Sequence, residues 1–484
     1  MAYEAVIGLE CHIQLKTRTK MFCGCPAEFG AEPNSNVCPV CLGLPGALPV
    51  TNRAAVDAAL SLGLALGSSI RHRSVFARKN YFYPDMPKNY QITQYDEPLC
   101  DGGALEVVIE GAARRFELTR VHAEEDTGKS FHPERHGDRR VSRVDFNRAG
   151  VPLLELVTEP VFRAPGECAA FLTALRRLVR WLDISDGDME KGHLRCDANV
   201  SLRPAGSQAF GTKSEIKNLN SIRGVERGIT AELARQERVL DEGGRVEQAT
   251  LLYDADHDRL AVMRSKEHAH DYRYFPEPDL PVLEVGEAWL ESARARLPVL
   301  PWAREREFTA LGLPWYDAVV LSDHPDLAEY ALAVMRDTDA KLASNWLMTE
   351  VLRVLKDRDW TPARWRGQVP AERLAVFLAA VASQALPGPL AKQVFAWMTD
   401  EPGSVGELLE RHGVRVQSSA EELEPLVRQV LDEHPGPVAQ YRAGKTATLG
   451  FLVGQVMKKS GGQAVPQAVQ SLLKRELEAR ATQD

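Results

Sequence analysis

The chain has 484 residues, 44% of them hydrophobic and 26% charged, with a formal net charge of −8. That length is too great for one hydrophobic core and implies about three domains at roughly 100 to 200 residues each, while the acidic balance excludes a protein whose whole surface is a nucleic-acid footprint and leaves room for a local basic patch. No apolar run approaches the ~18 residues of a membrane span and no charged leader opens the chain, so a cytosolic protein is expected, in which eight cysteines read as metal ligands or small buried side chains rather than disulfides.

In chain order, the segment 6–15, VIGLECHIQL, alternates with the period of a half-buried strand. Ile7, Leu9, Cys11, Ile13 and Leu15 share one face, and Glu10, His12 and Gln14 the other. An ordinary solvated strand would carry Lys, Thr and Glu there. Next come Cys23-Gly-Cys25 and Cys38-Pro-Val-Cys41, each pair on one tight turn, a spacing that places four thiolates tetrahedrally around Zn²⁺. The turn-rich loop between the pairs offers little apolar surface for plain buried cysteines. With no added His or carboxylate, the site reads as structural rather than catalytic. Cys11, Cys100, Cys168 and Cys196 are scattered and read as packing residues.

A helix is expected over 54–66. The stretch from Arg78 to Asp85, RKNYFYPD, and on to Tyr95 mixes cations with aromatics, which suits phosphates and stacked bases as well as it suits a packed loop; composition leaves both open. In VHAEEDTGKS, residues 121–130, Glu124, Glu125 and Asp126 end a strand, and adjacent carboxylates repel unless a cation sits among them. On this segment alone, an acidic turn in solvent is the better account. Alternation turns Glu124 and Glu125 to opposite faces, so only one is expected to be an inner ligand. Gly128-Lys129-Ser130 is not a phosphate loop, because Ala123 stands where that loop needs glycine, and Gly444-Lys445-Thr446 fails likewise at Ala439.

Residues 151–160, VPLLELVTEP, are apolar on both sides in their first half except at Glu155, and a helix over 166–181 follows. HLRCDANVSL, residues 193–202, places Leu194, Cys196, Ala198, Val200 and Leu202 on one face and His193, Arg195, Asp197, Asn199 and Ser201 on the other; Lys213, Glu215 and Lys217 alternate in the same manner. Four such strands on one sheet would bring carboxylates, a histidine and several cations together, as a metal-nucleotide site requires. The absence of a regular βαβ alternation predicts a mainly antiparallel sheet. From Glu287 the pattern turns helical: Leu347, Val351, Val354 and Leu355 recur at helical spacing, and Ser322 or Asp323 is placed to cap a helix starting near Pro325. A break near 402–404 precedes a smaller helical unit. Between Tyr441 and Asp484 seven basic residues, among them Arg442, Lys445, Lys458 and Lys459, face three acidic ones, a local balance of +4. Charge alone fits a solvated surface as well as phosphate contact; Gly444, Gly450, Gly454, Gly461 and Gly462 favour contact, since they permit close backbone approach.

Taken together, NSNVCPVCLGLPGALPV, RKNYFYPDMPKNYQITQYD, EEDTGKS, VDFNRAGVPLLELVTEP, RCDANVSLRP, KNLNSI, DYRYFPEPDLP and GKTATLGFLVGQVMKKSGGQ resemble the B subunits of the aspartyl/glutamyl-tRNA amidotransferases, the GatB family. The resemblance implies an ATP- and Mg²⁺-dependent ligase that phosphorylates the side-chain carboxylate of Glu mischarged on tRNA(Gln), or Asp on tRNA(Asn), and amidates it with ammonia. The ammonia comes from a glutaminase A subunit, and a small C subunit completes a heterotrimer. The implied fold is α+β: an antiparallel cradle domain (1–290), an all-α helical domain (291–404) and a YqeY-like tail (405–484) that grips the tRNA body. Family metal ligands map onto His12, Glu125 and Glu155, with Glu10 and Glu124 adjacent. Lys79, Arg195 and Lys213 are assigned to phosphate by charge and placement. Zinc on Cys23, Cys25, Cys38 and Cys41 is structural in this reading. A non-catalytic tRNA-binding scaffold and a metal-dependent phosphohydrolase are the alternatives.

Overall fold

The computed structural model describes residues 2–131, 142–255, 257–265, 272–415, 417 and 419–481. Asp271 of the DYRYFPEPDLP string and Asp484 of the C-terminal basic stretch lie outside them. The chain forms two compact units, residues 1–300 and 301–484.

The first unit is built on a thirteen-stranded sheet. Its main path runs Arg259–Ser265, Ala249–Asp254, Ser214–Leu219, Leu194–Pro204, Tyr3–Gln14, Pro152–Thr158, Ala112–Glu125, Tyr90–Gln94, Phe76–Asn80 and Phe275–Pro276. Every neighbouring pair on this path is antiparallel except Ser214–Leu219 with Ala249–Asp254. The sheet is thus mainly antiparallel, as the missing βαβ alternation predicts, and the unit as a whole is a mixed α/β structure.

Period-two alternation gives the central strand two unlike faces. Ile7, Leu9, Cys11 and Ile13 are at most 1% exposed, and beside them Cys196, Ala198 and Val200 bury the matching face of the neighbouring strand. Helices Arg53–Ala65, Pro165–Trp181 and Ile222–Asp241 supply the other half of this core, each fully buried Leu or Phe contributing about 1.5–3 kcal/mol. Phe116, Phe162 and Phe171 close it with ring centroids 4.5–6.0 Å apart. All four scattered cysteines are free and buried in this interior, Cys11 directly across from Cys196. Where the strand containing Leu202 outruns its neighbour, the buried Gln236 amide replaces the missing ladder, accepting from Leu202 N–H at 3.0 Å and donating to Val200 O at 3.0 Å.

The second unit is helical. Leu347, Val351, Val354 and Leu355 are all buried, but the five residues Leu347–Val351 form a π turn before the helix resumes at Leu352–Asp357. The helix Pro325–Met335 is capped by neither residue expected from the sequence: His324 Nδ1 accepts the Asp326 N–H at 3.2 Å, because Ser322 is buried at the end of the preceding helix. Two capping boxes, Ser404 with Glu407 and Ser419 with Glu422, start later helices. Leu423, Val427, Val430, Leu452, Val456, Val469 and Leu473 form a core of their own near the C-terminus.

Candidate active site

Antiparallel partners project to the same face, so register decides which polar side chains meet. His12 lies between Arg195 and Glu155; Glu155 lies opposite His122, and Glu124 opposite both Leu153 and Thr93. His12, Glu124 and Glu155 converge on the polar face. His12 Nε2 is 3.6 Å from Glu124 Oε1 and 3.6 Å from Glu155 Oε2, and His122 Nε2 is 3.5 Å from the same Glu155 oxygen. One ligand atom from each of His12, Glu124 and Glu155 fits within 4.8 Å of the others. His12 keeps 23% of its side chain exposed, so the cluster opens to solvent through the imidazole.

A buried carboxylate, Glu124, and a half-buried one, Glu155, gathered around one imidazole demand a positive partner. Burial disfavours the His12 imidazolium, yet the hydrogen bond and charge of Glu155, then the charge of Glu124, raise its pKa to about 9. Burial and then Glu155 push Glu124 up to about 7, whereas His122, His12 and Lys79 overcome burial to hold Glu155 low. Burial takes His122 down to about 4. Two carboxylates and a neutral imidazole form a donor set for a divalent cation, which would take over the role that protons on His12 and Glu124 otherwise fill.

Lys79 joins this cluster. Burial works against its charge, but Glu124, with further help from Glu155, raises its pKa, and its Nζ stands 4.9 Å over the Tyr272 ring. Arg195 Nη2 donates to Asp126 Oδ2 at 2.8 Å, while its buried Nε has no hydrogen-bond partner among the described residues. Such an orphan donor beside the cluster suits an anionic ligand. Farther along the face, Glu10, Asp197 and Glu215 bring one ligand atom each within 4.8 Å, with Lys217 Nζ 2.5 Å from Asp197 Oδ2 and 3.1 Å from Glu215 Oε1. Strand register, absent from the sequence, makes Lys217 and Asp197 part of the site. Lys213 sits apart from Lys79 and Arg195 in the fold: it is exposed and lines a cavity of about 260 Å³ with Glu10, Asn199, Ser201 and Phe210.

The structure does not bring Glu125 to the cluster. Pleating turns it to the opposite face, where it pairs with the buried Lys88 and accepts the Ile92 N–H at 2.9 Å. Glu124 stands in that place instead, grouped with His12 and Glu155.

Behind that strand lies the thiol cluster. Sγ atoms of Cys23, Cys25, Cys38 and Cys41 lie within 4.8 Å of one another, a donor set that fits Zn²⁺. The hydrogen bond from Cys23, with help from the Cys38 backbone and Lys20, lowers the Cys41 thiol to about 4, whereas burial raises Cys25 to about 11. Lys20 is 0% exposed, with Nζ 3.6 Å from Cys41 Sγ and 3.2 Å from Phe146 O. A buried ammonium needs an anion nearby, and the thiolate supplies it. The loop abuts the back of the site: a Cβ on Gly43, where φ is +67°, would meet Lys88 Cγ at 2.5 Å, and one on Gly150, where φ is +87°, would lie 3.5 Å from Cys41 Cβ and 3.7 Å from Glu125 Oε2.

In the second unit Arg442, Lys445, Lys458 and Lys459 all lie at the surface. Lys459 pairs with Glu433 at 2.7 Å and Arg480 with Asp432 at 2.7 Å, so acidic residues of the preceding helix answer part of the basic stretch. Counted over 405–484, basic and acidic residues number ten each. Gly444, Gly461 and Gly462 have positive φ and are accounted for by turns, whereas Gly450 and Gly454 leave open space on a helix.

The sequence profile of the GatB/GatE catalytic domain matches residues 5–291, more than half of the chain and all of both clusters. The chain belongs to the GatB family. A second profile, the GatB domain, matches residues 329–477. Proteins named as B subunits of aspartyl/glutamyl-tRNA(Asn/Gln) amidotransferases from Moorella thermoacetica, Chlorobium chlorochromatii and Halorhodospira halophila are 50%, 47% and 48% identical, covering 99% of this chain and 100% of each relative. No helix among the described residues is long and apolar enough to cross a membrane.

Proposed function

We propose that this chain is the B subunit of a tRNA-dependent amidotransferase, working in the cytosol in a heterotrimer with a glutaminase A subunit and a small C subunit. Its reaction is phosphorylation by ATP of the side-chain carboxylate of Glu on tRNA(Gln), or Asp on tRNA(Asn), followed by displacement of phosphate by ammonia to give the amide. The observation that carries this reading is the meeting of His12, Glu124 and Glu155 with Lys79 and Arg195 on one accessible sheet face. A carboxylate needs no general base to attack phosphorus, so these residues act by positioning and electrostatics. His12, Glu124 and Glu155 would hold Mg²⁺, with Glu10 close by on the same strand as His12. A cation held there would supply charge that screens the approach of the acceptor carboxylate to the triphosphate. Lys79 and the unpaired Nε of Arg195 face phosphate oxygens, and Lys213 belongs to the cavity beside Glu10.

The thiol cluster holds one Zn²⁺ as a structural centre behind the catalytic strand. The C-terminal helices contact the body of the tRNA through Arg442, Lys445 and Lys458, within the expected divisions 1–290, 291–404 and 405–484. In the assembled complex, His12→Ala, Glu124→Gln and Glu155→Gln should each abolish ATP hydrolysis that depends on mischarged tRNA and leave the partner's glutaminase measurable. Near-normal amidation by all three variants would favour a scaffold role instead.

A further inference from the structure

Apart from Lys79, the cation-rich aromatic stretch finds no use in the chemistry above. In the fold it forms part of a ring platform at one border of the acid–imidazole cluster. Tyr95 and Tyr274 stack 3.9 Å apart with planes 1° from parallel, and Tyr81 and Tyr83 stack at 5.9 Å. Tyr272, beneath Lys79, stands 6.0 Å from Tyr274 and links the first pair to the site. The outward rings are open: Phe82 is 68% exposed, Tyr83 49% and Tyr95 43%, with the Arg273 guanidinium 6.0 Å over Phe82.

Open aromatic faces interleaved with cations suit unpaired nucleotides, because every base has a π-face and each nucleotide brings a phosphate. A protein partner could also seat rings of this kind, but it would give no reason for Arg273 to lie over Phe82 and Lys79 over the neighbouring Tyr272. Resting on the proposed function, we infer that Phe82, Tyr83 and Tyr95 are a stacking platform for the unpaired 3′ end of the aminoacyl-tRNA. They guide the esterified amino acid toward Glu124 and Glu155. The recognition is of single-stranded RNA as a class and tolerates base identity.

The test uses the assembled complex with full-length mischarged tRNA and with a charged acceptor-stem minihelix that lacks the tRNA body. Phe82→Ala, Tyr83→Ala and Tyr95→Ala should each raise KM by about 5- to 100-fold for both RNAs, while KM for ATP, glutaminase activity and Tm stay near wild type. The ring-retaining Phe82→Tyr, Tyr83→Phe and Tyr95→Phe should remain within about twofold. An unchanged KM for both RNAs in folded variants would overturn the inference. So would a rise confined to KM for ATP, which would make the rings a nucleotide-base site, or loss of the partner subunits on gel filtration, which would make them a protein interface. Failure of the proposed function itself would be seen separately, as an absence of RNA-dependent ATP hydrolysis in the wild-type complex.

Discussion

Two clusters sit on opposite sides of one strand, and they are assembled in opposite ways. The thiol cluster takes all four cysteines from a single loop between Cys23 and Cys41, where tight turns do the gathering. The acid–imidazole cluster takes His12, Glu124 and Glu155 from three strands, and only the ladder registers bring them together. Glu124 and Glu125 make the contrast local: neighbours in sequence, one faces the accessible site and the other is locked to Lys88 on the thiol-loop side. A local cluster can therefore brace a non-local one from behind, with the strand as the shared wall.

Substitution on the two sides of that strand should break the comparison most sharply. Glu124→Gln is expected to lower tRNA-dependent ATP hydrolysis by at least about 10²- to 10³-fold with little loss of Tm. Glu125→Gln should do the reverse, costing about 3–5 kcal/mol in a denaturant melt because it strands the buried Lys88 ammonium, with turnover per folded molecule much less affected. Equal losses of turnover at both positions would erase the distinction between front and back.

Metal analysis tests the brace itself. Wild-type protein should carry close to one zinc per chain, and Cys38→Ser with Cys41→Ser should lose it, with a lower Tm and with glutaminase of the complex intact. Zinc content unchanged in that double variant would remove the metal from the thiol cluster. Lys20→Met should act more mildly. Without its buried cation the thiolate site should release zinc to a chelator about 10- to 100-fold more readily, and retention equal to wild type would show that the ammonium does not support the cluster.

The smallest effect is expected in the second unit. Lys445→Glu with Lys458→Glu should raise KM for mischarged tRNA severalfold and reduce the slope of log affinity against log salt by roughly one for each phosphate no longer neutralised. A changed KM with an unchanged slope would mean that these lysines act on shape rather than on phosphate.

Much of the central strand was readable in advance, because alternation of Ile7, Leu9, Cys11 and Ile13 with Glu10, His12 and Gln14 depends only on the geometry of a pleat. The thiol quartet was readable for a similar reason: its spacing is a local property, and the loop between the pairs has little apolar surface for cysteines to hide in. The charge of the C-terminal stretch misled when counted from Tyr441 alone, since Asp432 and Glu433, a few residues earlier, fold back to meet Arg480 and Lys459. The cap of the Pro325–Met335 helix was off by one or two residues for want of knowing that Ser322 is buried.

By itself, then, the sequence determined which residues alternate, where the thiols pair, the family, and that neighbouring carboxylates at 124 and 125 must point apart. It did not determine which of the two points inward. That choice follows from the pairing of Glu155 with His122 and of Leu153 with Glu124, and from the buried Lys88 that claims Glu125. Nor did it bring Tyr272 and Tyr274 beside Lys79, or Lys217 between Asp197 and Glu215. Each of these joins distant segments, and a sheet decides such meetings only when its strands have chosen their partners, because a one-residue slip in register turns every side chain of a strand to the other face.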